Sequence, residues 1–404
     1  MSTSILYHAF GVHGYEHIKT VFKEGRVMFT VRHKRASDRC SGCGCWNVIR
    51  HGNQERTFRT VPIGSKPVLL QVAIPRVECR ACGIIRQVRL SFAEPRYSYT
   101  RAFERYVLEL SQAMTIQDVA RHLDVGWDTI KDIQKRNLQR RFKKVKLKDL
   151  QQIAIDEISI GKGHRYVTIV LNLLTGAVVF IGEGKGADAL QPFWPKLKAA
   201  RARIKAVATD MSIAYIQAVQ ENLSGAVHVF DHFHVIKLFN DKLSDFRRQL
   251  FNEAVGPLEK KVLKGTRWLL LKNPENLDPK RNEQKRLEDA LRLNQPLATV
   301  YYMKEDLRQI WEQPDKATAR RVFDDWVRRA EASKISMLQK FAYTLALARS
   351  AILAYYDYPI STGPLEGVNN KIKLLQRRAY GYRDMELFKL RILSLHITRF
   401  ELIG

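Results

Sequence analysis

Residues 151–157 read QQIAIDE, and this stretch decides how the rest of the chain is interpreted. A short apolar run flanked by polar residues predicts a buried strand that carries Asp156 at its carboxyl end. The sequence AVATD ends in the same way at Asp210. Glu366 follows a Gly-Pro pair and opens a long, strongly patterned helix. Two strand ends and one helix start could therefore bring three carboxylates to one point.

The elements that follow residue 151 predict an α/β domain. Three consecutive strands come first, and helices and strands then alternate, which is the order of a ribonuclease H-like fold. In that fold the strands that carry Asp156 and Asp210 are neighbours. The predicted strands are 153–156, 166–173, 177–181, 206–209 and 227–230, and the predicted helices are 188–200, 213–222 and 235–252.

A polar, helical stretch interrupts this domain. Residues 253–355 contain Trp268, Trp311 and Trp326 among many Lys and Arg residues. We interpret them as a helical insertion, because Glu366 appears only beyond them. The ribonuclease H-like core is therefore predicted in two parts, residues 151–252 and residues 356–404.

Three carboxylates delivered to one point would make a metal site. Hard oxygen ligands select Mg²⁺ or Mn²⁺, and a pair of such ions supports phosphoryl transfer. An aspartate at a strand end is also commonly a turn or helix cap, so spacing alone leaves both roles open. His234, in the sequence DHFH of residues 231–234, could assist at the same strand ends, and a structural histidine is an equal alternative.

Cysteine spacing predicts a second metal site. Cys40 and Cys43 form one Cys-x-x-Cys pair, and Cys79 and Cys82 form another. Two such pairs fit one tetrahedral Zn²⁺ in a β-rich module over residues 31–98, behind an N-terminal segment 1–30. Unmetallated thiols are the alternative, and Cys45 could replace Cys43.

Helical periodicity resumes over residues 99–142, followed by a basic linker, residues 143–150. A short helix over 115–123, a turn at 124–126 and a second helix over 127–135 predict a helix-turn-helix domain. A plain helix pair gives the same pattern. The side chains expected to contact DNA are Trp127, Asp128, Thr129, Lys131, Asp132 and Lys135.

The charge balance favours a polyanionic partner. The 404 residues carry a net charge of +27, and residues 31–150 hold 25 Lys and Arg against 11 Asp and Glu. Four basic residues on the Glu366 helix could bind a phosphate backbone, namely Lys371, Lys373, Arg377 and Arg378.

We expect a soluble, cytoplasmic chain, because no apolar stretch could span a bilayer and the thiols suit a reducing compartment.

The chain resembles the DDE transposases of bacterial insertion sequences, in particular the ISL-three group. The resemblance covers nearly the whole length, and the segment after Glu366 is the most specific part. It rests on the cysteine module, the helix-turn-helix, AIDE (154–157), TDMS (209–212), FDHFHV (230–235), RWLLLKNPE (267–275), EGVNNKIK (366–373) and RAYGYR (378–383).

The resemblance implies a function and assigns residues to it. Asp156, Asp210 and Glu366 would be the catalytic acids with two Mg²⁺ or Mn²⁺ ions, and His234 would assist them. The zinc module and helix-turn-helix would bind terminal inverted repeats, and the enzyme would cut the element ends and join the 3′-hydroxyl to target DNA. A homodimer or larger assembly on DNA, near the nucleoid, is expected.

Three further points remain open at this stage. Arg267 and Trp268 could hold an unstacked base, although core packing is the favoured role of Trp268. A non-enzymatic DNA-binding regulator with a relic core is one rival function. A nuclease that cuts without joining is the other.

Overall fold

The computed structural model describes residues 4–161 and 163–396 of the chain. Residues 1–3, 162 and 397–404 lie outside the described residues, so the predicted domain ends that include them are untested there. The described chain divides into two compact units. Residues 4–143 and 377–391 form the first, and residues 144–376 and 392–396 form the second.

The regular elements are as follows. The strands are β1 Tyr15–Lys23, β2 Arg26–His33, β3 Val48–Ile63, β4 Lys66–Cys79, β5 Ile85–Gln87, β6 Gln152–Gly161, β7 Arg165–Asn172, β8 Val178–Glu183, β9 Ala206–Thr209 and β10 Val227–Phe230. The helices are α1 Ile5–His8, α2 Arg101–Ala113, α3 Ile116–Leu123, α4 Trp127–Arg141, α5 Ala187–Leu190, α6 Phe193–Ala199, α7 Ile213–Asn222, α8 His232–Glu253, α9 Pro257–Gly265, α10 Arg267–Leu271, α11 Glu283–Leu293, α12 Gln295–Arg308, α13 Lys316–Ala332, α14 Ser336–Leu353, α15 Gly363–Arg378 and α16 Met385–Leu393.

The first unit begins with a sheet ordered β1-β2-β4-β3, with β5 paired to β4. Val68, Leu70 and Val72 of β4 alternate inward and are fully buried. The apolar run at residues 27–31 predicts one strand near the end of the N-terminal segment, and it lies in β2. Strands β1 and β2 form a hairpin, and β1 was missed because an exposed edge strand carries no clear apolar alternation.

Helices α2, α3 and α4 pack around one apolar cluster in the first unit. Thr115 and Asp118 form a capping box that starts α3, and Asp124 ends it in a left-handed conformation. Ile130 and Ile133 of α4 are fully buried, as the periodicity predicted. Helices α3 and α4, with the turn at residues 124–126 between them, form the predicted helix-turn-helix.

The second unit contains a sheet ordered β10-β9-β6-β7-β8. Strands β6, β7 and β8 are antiparallel neighbours, and β9 and β10 run parallel to β6. Strand β6 extends to Gly161, so the prediction that Asp156 ends its strand was wrong. The parallel pairing with β9 stops at Ala154, and the hairpin with β7 carries β6 onward.

One predicted helix is divided in two. The stretch predicted as helix 188–200 forms α5 and α6, with Pro192 between them. Proline lacks an amide proton and clashes with the preceding turn, which explains the interruption. The predicted helix at 235–252 starts earlier, at His232, because the Asp231 side chain accepts a hydrogen bond from the Phe233 N–H and caps it.

Helices α9 to α14 lie between β10 and α15 in the chain and share one apolar cluster with α8. Trp326 is fully buried there, and its indole N–H donates to the Met303 carbonyl at 2.8 Å. Phe230, the last residue of β10, belongs to the same cluster. The helical stretch therefore has its own apolar core, and this core includes the last residue of β10.

Candidate catalytic and DNA-binding sites

Strand register aligns three aspartates across the sheet. Ala154 of β6 pairs with Ala208 of β9, and extending this register by two residues places Asp156 beside Asp210. Thr209 of β9 pairs with Phe230 of β10, so the next residue, Asp231, falls in the same row. The carboxyl ends of adjacent parallel strands meet at one sheet edge, which is a common position for a ligand site.

Asp156 is part-buried and bound on both carboxylate oxygens. Oδ1 accepts the Glu157 N–H at 2.7 Å, and Oδ2 accepts the Asn369 side-chain N–H at 3.0 Å. Burial raises the pKa of Asp156 above its usual range, and the charge of Asp210 acts in the same direction. The Glu157 N–H, the charge of His234 and the Asn369 hydrogen bond oppose that rise in the pKa.

The predicted residues Asp210 and His234 therefore both lie close enough to act on Asp156. Asp210 follows β9 directly, and its Oδ1 accepts the Ser212 N–H at 3.0 Å. His234 is half-buried in the first turn of α8, which begins directly after β10. The structure thus brings together three of the four residues that the sequence predicted for catalysis.

Glu366, the fourth, lies exposed in the first turn of α15. Asn369 of the same helix contacts Asp156, and Cβ atoms three residues apart on a helix are about 5–6 Å apart. Gln376, two turns beyond Asn369, donates to the Ile160 carbonyl of β6 at 2.9 Å. Asn369 and Gln376 thus hold this helix against β6, and Glu366 lies three residues before the first of these contacts.

The acidic edge suits a divalent cation. Asp156 and Asp210 repel each other, which a cation would relieve, and carboxylates are the hard donors that Mg²⁺ and Mn²⁺ prefer. The buried Oδ1 atom of Asn369 has no hydrogen-bond partner, so a further oxygen is free at this edge. The three carboxylates are nevertheless not gathered as tightly as the cysteines described next.

The four predicted zinc ligands form a closed cluster. The sulfur atoms of Cys40, Cys43, Cys79 and Cys82 all lie within 4.8 Å of one another. Among the described residues, this is the only gathered set of three or more potential His, Cys, Asp or Glu ligands. Cys45 lies outside the set, which settles the choice between it and Cys43.

Backbone donors favour the thiolate at Cys40 and Cys79. The N–H groups of Cys43 and Gly42 lower the pKa of Cys40 to about 6. The Cys82 N–H likewise holds the pKa of Cys79 below its usual value. The pKa of Cys43 and that of Cys82 are raised instead, because hydrogen bonds with neighbouring thiols and burial outweigh the backbone donor at each. Because the thiolate is the metal ligand, the backbone donors at Cys40 and Cys79 favour metal binding. Four clustered sulfurs are the donor set of a structural zinc site.

The predicted DNA-contacting face of α4 is divided. Trp127, Asp128 and Asp132 are exposed, and Thr129 is half-exposed. Lys131 and Lys135 instead place their ammonium groups 3.2 and 3.0 Å from Asp384, beside α16. DNA contact by these two lysines remains a prediction, and it would compete with that carboxylate.

Trp268 is 66% exposed at the start of α10, so the prediction of core packing was wrong. The Arg267 guanidinium lies 4.8 Å from the centre of its indole ring. Buried Lys304 donates to the Leu270 and Lys272 carbonyls at 2.9 and 3.1 Å and thereby holds the end of α10. Arg267 and Trp268 thus lie side by side on α10, and Trp268 is exposed on a helix whose end Lys304 holds in place.

The basic residues of α15 are all exposed, namely Lys371, Lys373, Arg377 and Arg378. Arg378 donates a hydrogen bond to the Ala113 carbonyl at the end of α2. Binding of a phosphate backbone by this set remains a prediction.

Sequence reasoning missed Asn369 and the role of Asp231. Asn369 stood within the quoted EGVNNKIK segment, three residues after Glu366, so helical spacing could have placed it on the same face. Asp231 lies in the DHFH segment, of which only His234 was predicted to act at the site. Its partner, described below, is 131 residues away, and no local pattern reports such a contact.

Comparison with known proteins agrees with this arrangement. Residues 153–392 match the family model described as "Transposase", residues 88–136 match "Helix-turn-helix domain of transposase family ISL3", and residues 36–82 match "zinc-finger of transposase IS204/IS1001/IS1096/IS1165". The chain is 35% identical over 359 residues to the transposase for insertion sequence element IS1001 of Bordetella parapertussis, with 87% of each chain covered.

Two further similarities are more distant. The transposase for insertion sequence element IS1557 of Mycobacterium tuberculosis is 29% identical over 399 residues, covering 92% of this chain and 88% of that protein. The solved Drosophila P element transposase strand transfer complex matches with a TM-score of 0.41 and 11% identity, over 75% of this chain and 93% of that one.

A zinc ribbon, a helix-turn-helix and an acid-bearing α/β domain with a helical insertion together describe a DNA-processing enzyme of the transposase class. The chain belongs to the ISL3 family of transposases. The predictions of a zinc-binding module, a helix-turn-helix and this family are confirmed. None of the helices in the described residues has the length and apolar content needed to cross a membrane.

Proposed function

We propose that this chain is a DDE transposase of an insertion sequence, which cuts the element ends and joins the 3′-hydroxyl to target DNA. The observation that carries the proposal is the convergence at one sheet edge of Asp156, Asp210 and the Glu366 helix, through the Asn369 contact. The β10-β9-β6-β7-β8 order supports a ribonuclease H-like core split by the helical insertion.

Asp156, Asp210 and Glu366 would hold two Mg²⁺ or Mn²⁺ ions at this edge. When bound, such ions activate the attacking oxygen and stabilise the leaving oxygen of a phosphodiester. Asn369 would orient the Asp156 carboxylate, and His234 would lie beside it, where a scissile phosphate would bind. This arrangement would serve both strand cleavage and strand transfer, since in each reaction an oxygen nucleophile attacks a phosphodiester.

The remaining site residues would bind the DNA. The zinc ribbon and helix-turn-helix would hold the terminal inverted repeats, with Trp127, Asp128 and Thr129 on the free part of the α4 face. Lys371, Lys373, Arg377 and Arg378 would contact phosphates. Arg267 and Trp268 would stack on an unpaired base near the cut. A homodimer or larger assembly in the cytoplasm would bring two ends together on DNA.

The test incubates the full-length protein with a labelled inverted-repeat end, a target plasmid and Mg²⁺. Cut and joined products are expected from the wild type, and binding without either from Asp156→Asn. Asp241→Asn, an exposed acid on α8, is the matched control and should retain both activities. Activity retained in Asp156→Asn would contradict the assignment of the acids.

The same assay separates the two rival functions. A DNA-binding regulator with a relic core would bind the end and leave it uncut in Mg²⁺ and in Mn²⁺. A nuclease would release cut ends that never appear joined to the plasmid. Either result from the wild type would replace the proposal.

A further inference from the structure

Two chain segments that flank the helical insertion meet at one buried carboxylate. Asp231 directly follows β10, where the chain leaves the sheet, and Thr362 directly precedes α15, where the chain returns. Their side chains are 2% and 4% exposed, respectively. The insertion between them is more than a hundred residues long, so nothing local holds these two points together.

Both carboxylate oxygens of Asp231 accept hydrogen bonds from the protein. Oδ1 accepts the Phe233 N–H at 3.1 Å and lies 3.3 Å from His232 Nδ1. Oδ2 accepts the Thr362 N–H at 3.3 Å and also the Thr362 hydroxyl. One carboxylate therefore caps α8 and binds the residue directly before α15. Hydrogen bonds to an ionised acceptor are stronger than those between neutral groups.

Thr362 in turn sets the backbone of the predicted catalytic helix. Its carbonyl accepts the N–H groups of Leu365 at 2.8 Å and Glu366 at 3.3 Å. The Asp231 contact thus lies one helical turn before Glu366, and the Asn369 contact with Asp156 lies one turn after it. Helix α15 is held to the sheet on both sides of the carboxylate that must reach the other two.

The row of aspartates raises the alternative that Asp231 is itself a metal ligand. Its two oxygens already accept protein donors and are closed to solvent, whereas Glu366 is exposed. We infer that Asp231 and Thr362 form a clasp that positions Glu366 for metal binding. The clasp makes the end of the insertion part of the active-site scaffold, and the inference rests on the proposed function.

The test measures Mn²⁺ binding to the full-length protein by electron paramagnetic resonance, together with cleavage of a labelled inverted-repeat end. Thr362→Val removes the hydroxyl, and Asp231→Asn keeps the size and the α8 cap but loses one acceptor. Each is expected to weaken Mn²⁺ affinity by about 10- to 100-fold, the usual effect of losing a residue that orients a metal ligand. Thr362→Ser, which keeps the hydroxyl, should behave like the wild type.

Two controls separate positioning from general destabilisation. Thr168→Val removes a different buried hydroxyl, on strand β7, which donates to the Gly184 carbonyl at 3.2 Å. It should lower the melting temperature without changing Mn²⁺ affinity. The double variant Asp231→Asn/Thr362→Val should bind Mn²⁺ no more weakly than either single variant, because the two substitutions remove the same interaction.

Three results would overturn the inference. Thr362→Val could bind Mn²⁺ like the wild type, Thr168→Val could weaken Mn²⁺ as much as Thr362→Val, or Asp231→Asn could abolish binding that Thr362→Val leaves intact. The last result would make Asp231 a ligand. Asp156→Asn tests the proposed function separately from the clasp. If Asp156→Asn binds Mn²⁺ like the wild type, the proposed function is contradicted. If Asp156→Asn loses Mn²⁺ and only the clasp variants give an unexpected result, the clasp is contradicted and the proposed function is not.

Discussion

Replacing Trp268 distinguishes an exposed DNA-stacking residue from a core residue. A buried tryptophan costs about 3–5 kcal/mol of stability when truncated to alanine. Trp268 is 66% exposed, whereas Trp326 is fully buried within the same unit. We therefore expect Trp268→Ala to change the free energy of unfolding by less than about 1 kcal/mol, and Trp326→Ala to lower it by several kcal/mol.

The functional effect should run the other way. Stacking of one base on an aromatic ring contributes about 1–3 kcal/mol, which corresponds to roughly 5- to 150-fold in the rate or affinity of the step that uses it. Trp268→Ala should slow end processing by a factor in this range, and Trp268→Phe should recover part of it. Binding of the uncut inverted repeat should change little, since we propose that the zinc ribbon and helix-turn-helix carry it.

The assay uses an inverted-repeat end with 2-aminopurine at each position next to the cut in turn, so that unstacking of a base is seen as a rise in fluorescence. Urea unfolding followed by circular dichroism gives the stability of each variant. The reasoning is refuted if Trp268→Ala loses as much stability as Trp326→Ala, or if it cuts and unstacks the end as the wild type does.

Two other predictions concern the metal module and pH. Cys79→Ser should release zinc, as measured by metal analysis, and weaken inverted-repeat binding while the second unit stays folded; unchanged zinc content and affinity would contradict the cluster's role. Burial lowers the pKa of His228 from its usual 6.5 to about 4, so the folded state binds fewer protons than the unfolded chain in that interval. The stability that His228 contributes by staying neutral should therefore be fully present above pH 6.5. The free energy of unfolding should fall by about 1.4 kcal/mol per pH unit on acidification from pH 6.5 towards pH 4. Urea unfolding at pH 7 and pH 5 tests this, and an equal slope in His228→Gln would assign the loss to other groups.

Local patterns were enough for much of the architecture. Cysteine spacing identified the four clustered thiols, and periodicity with a turn at residues 124–126 identified the helix-turn-helix. The order of predicted strands also made the strand of Asp156 a neighbour of the strand that ends just before Asp210, as the pairing of β6 with β9 shows. These features depend on interactions between residues near in sequence, or on topological rules that few alternatives satisfy.

Other features escaped for identifiable reasons. The β1 strand is an exposed edge, so its sequence carries little apolar alternation. The break between α5 and α6 needed only a stricter treatment of Pro192. Trp268 was assigned to a core because tryptophan is usually buried, and composition cannot tell which of several tryptophans in a helical stretch faces outward.

What residue order alone established is the set of parts: a thiol metal site, a DNA-binding helix pair, two acids on adjacent strands and a third on a later helix. What only the folded chain decided is how the helix that carries the third acid is held to the sheet. Asp231 with Thr362, and Asp156 with Asn369, are pairs separated by 131 and 213 positions. Such contacts exist because the insertion closes on the end of the sheet, and their energy depends on burial that no local segment possesses.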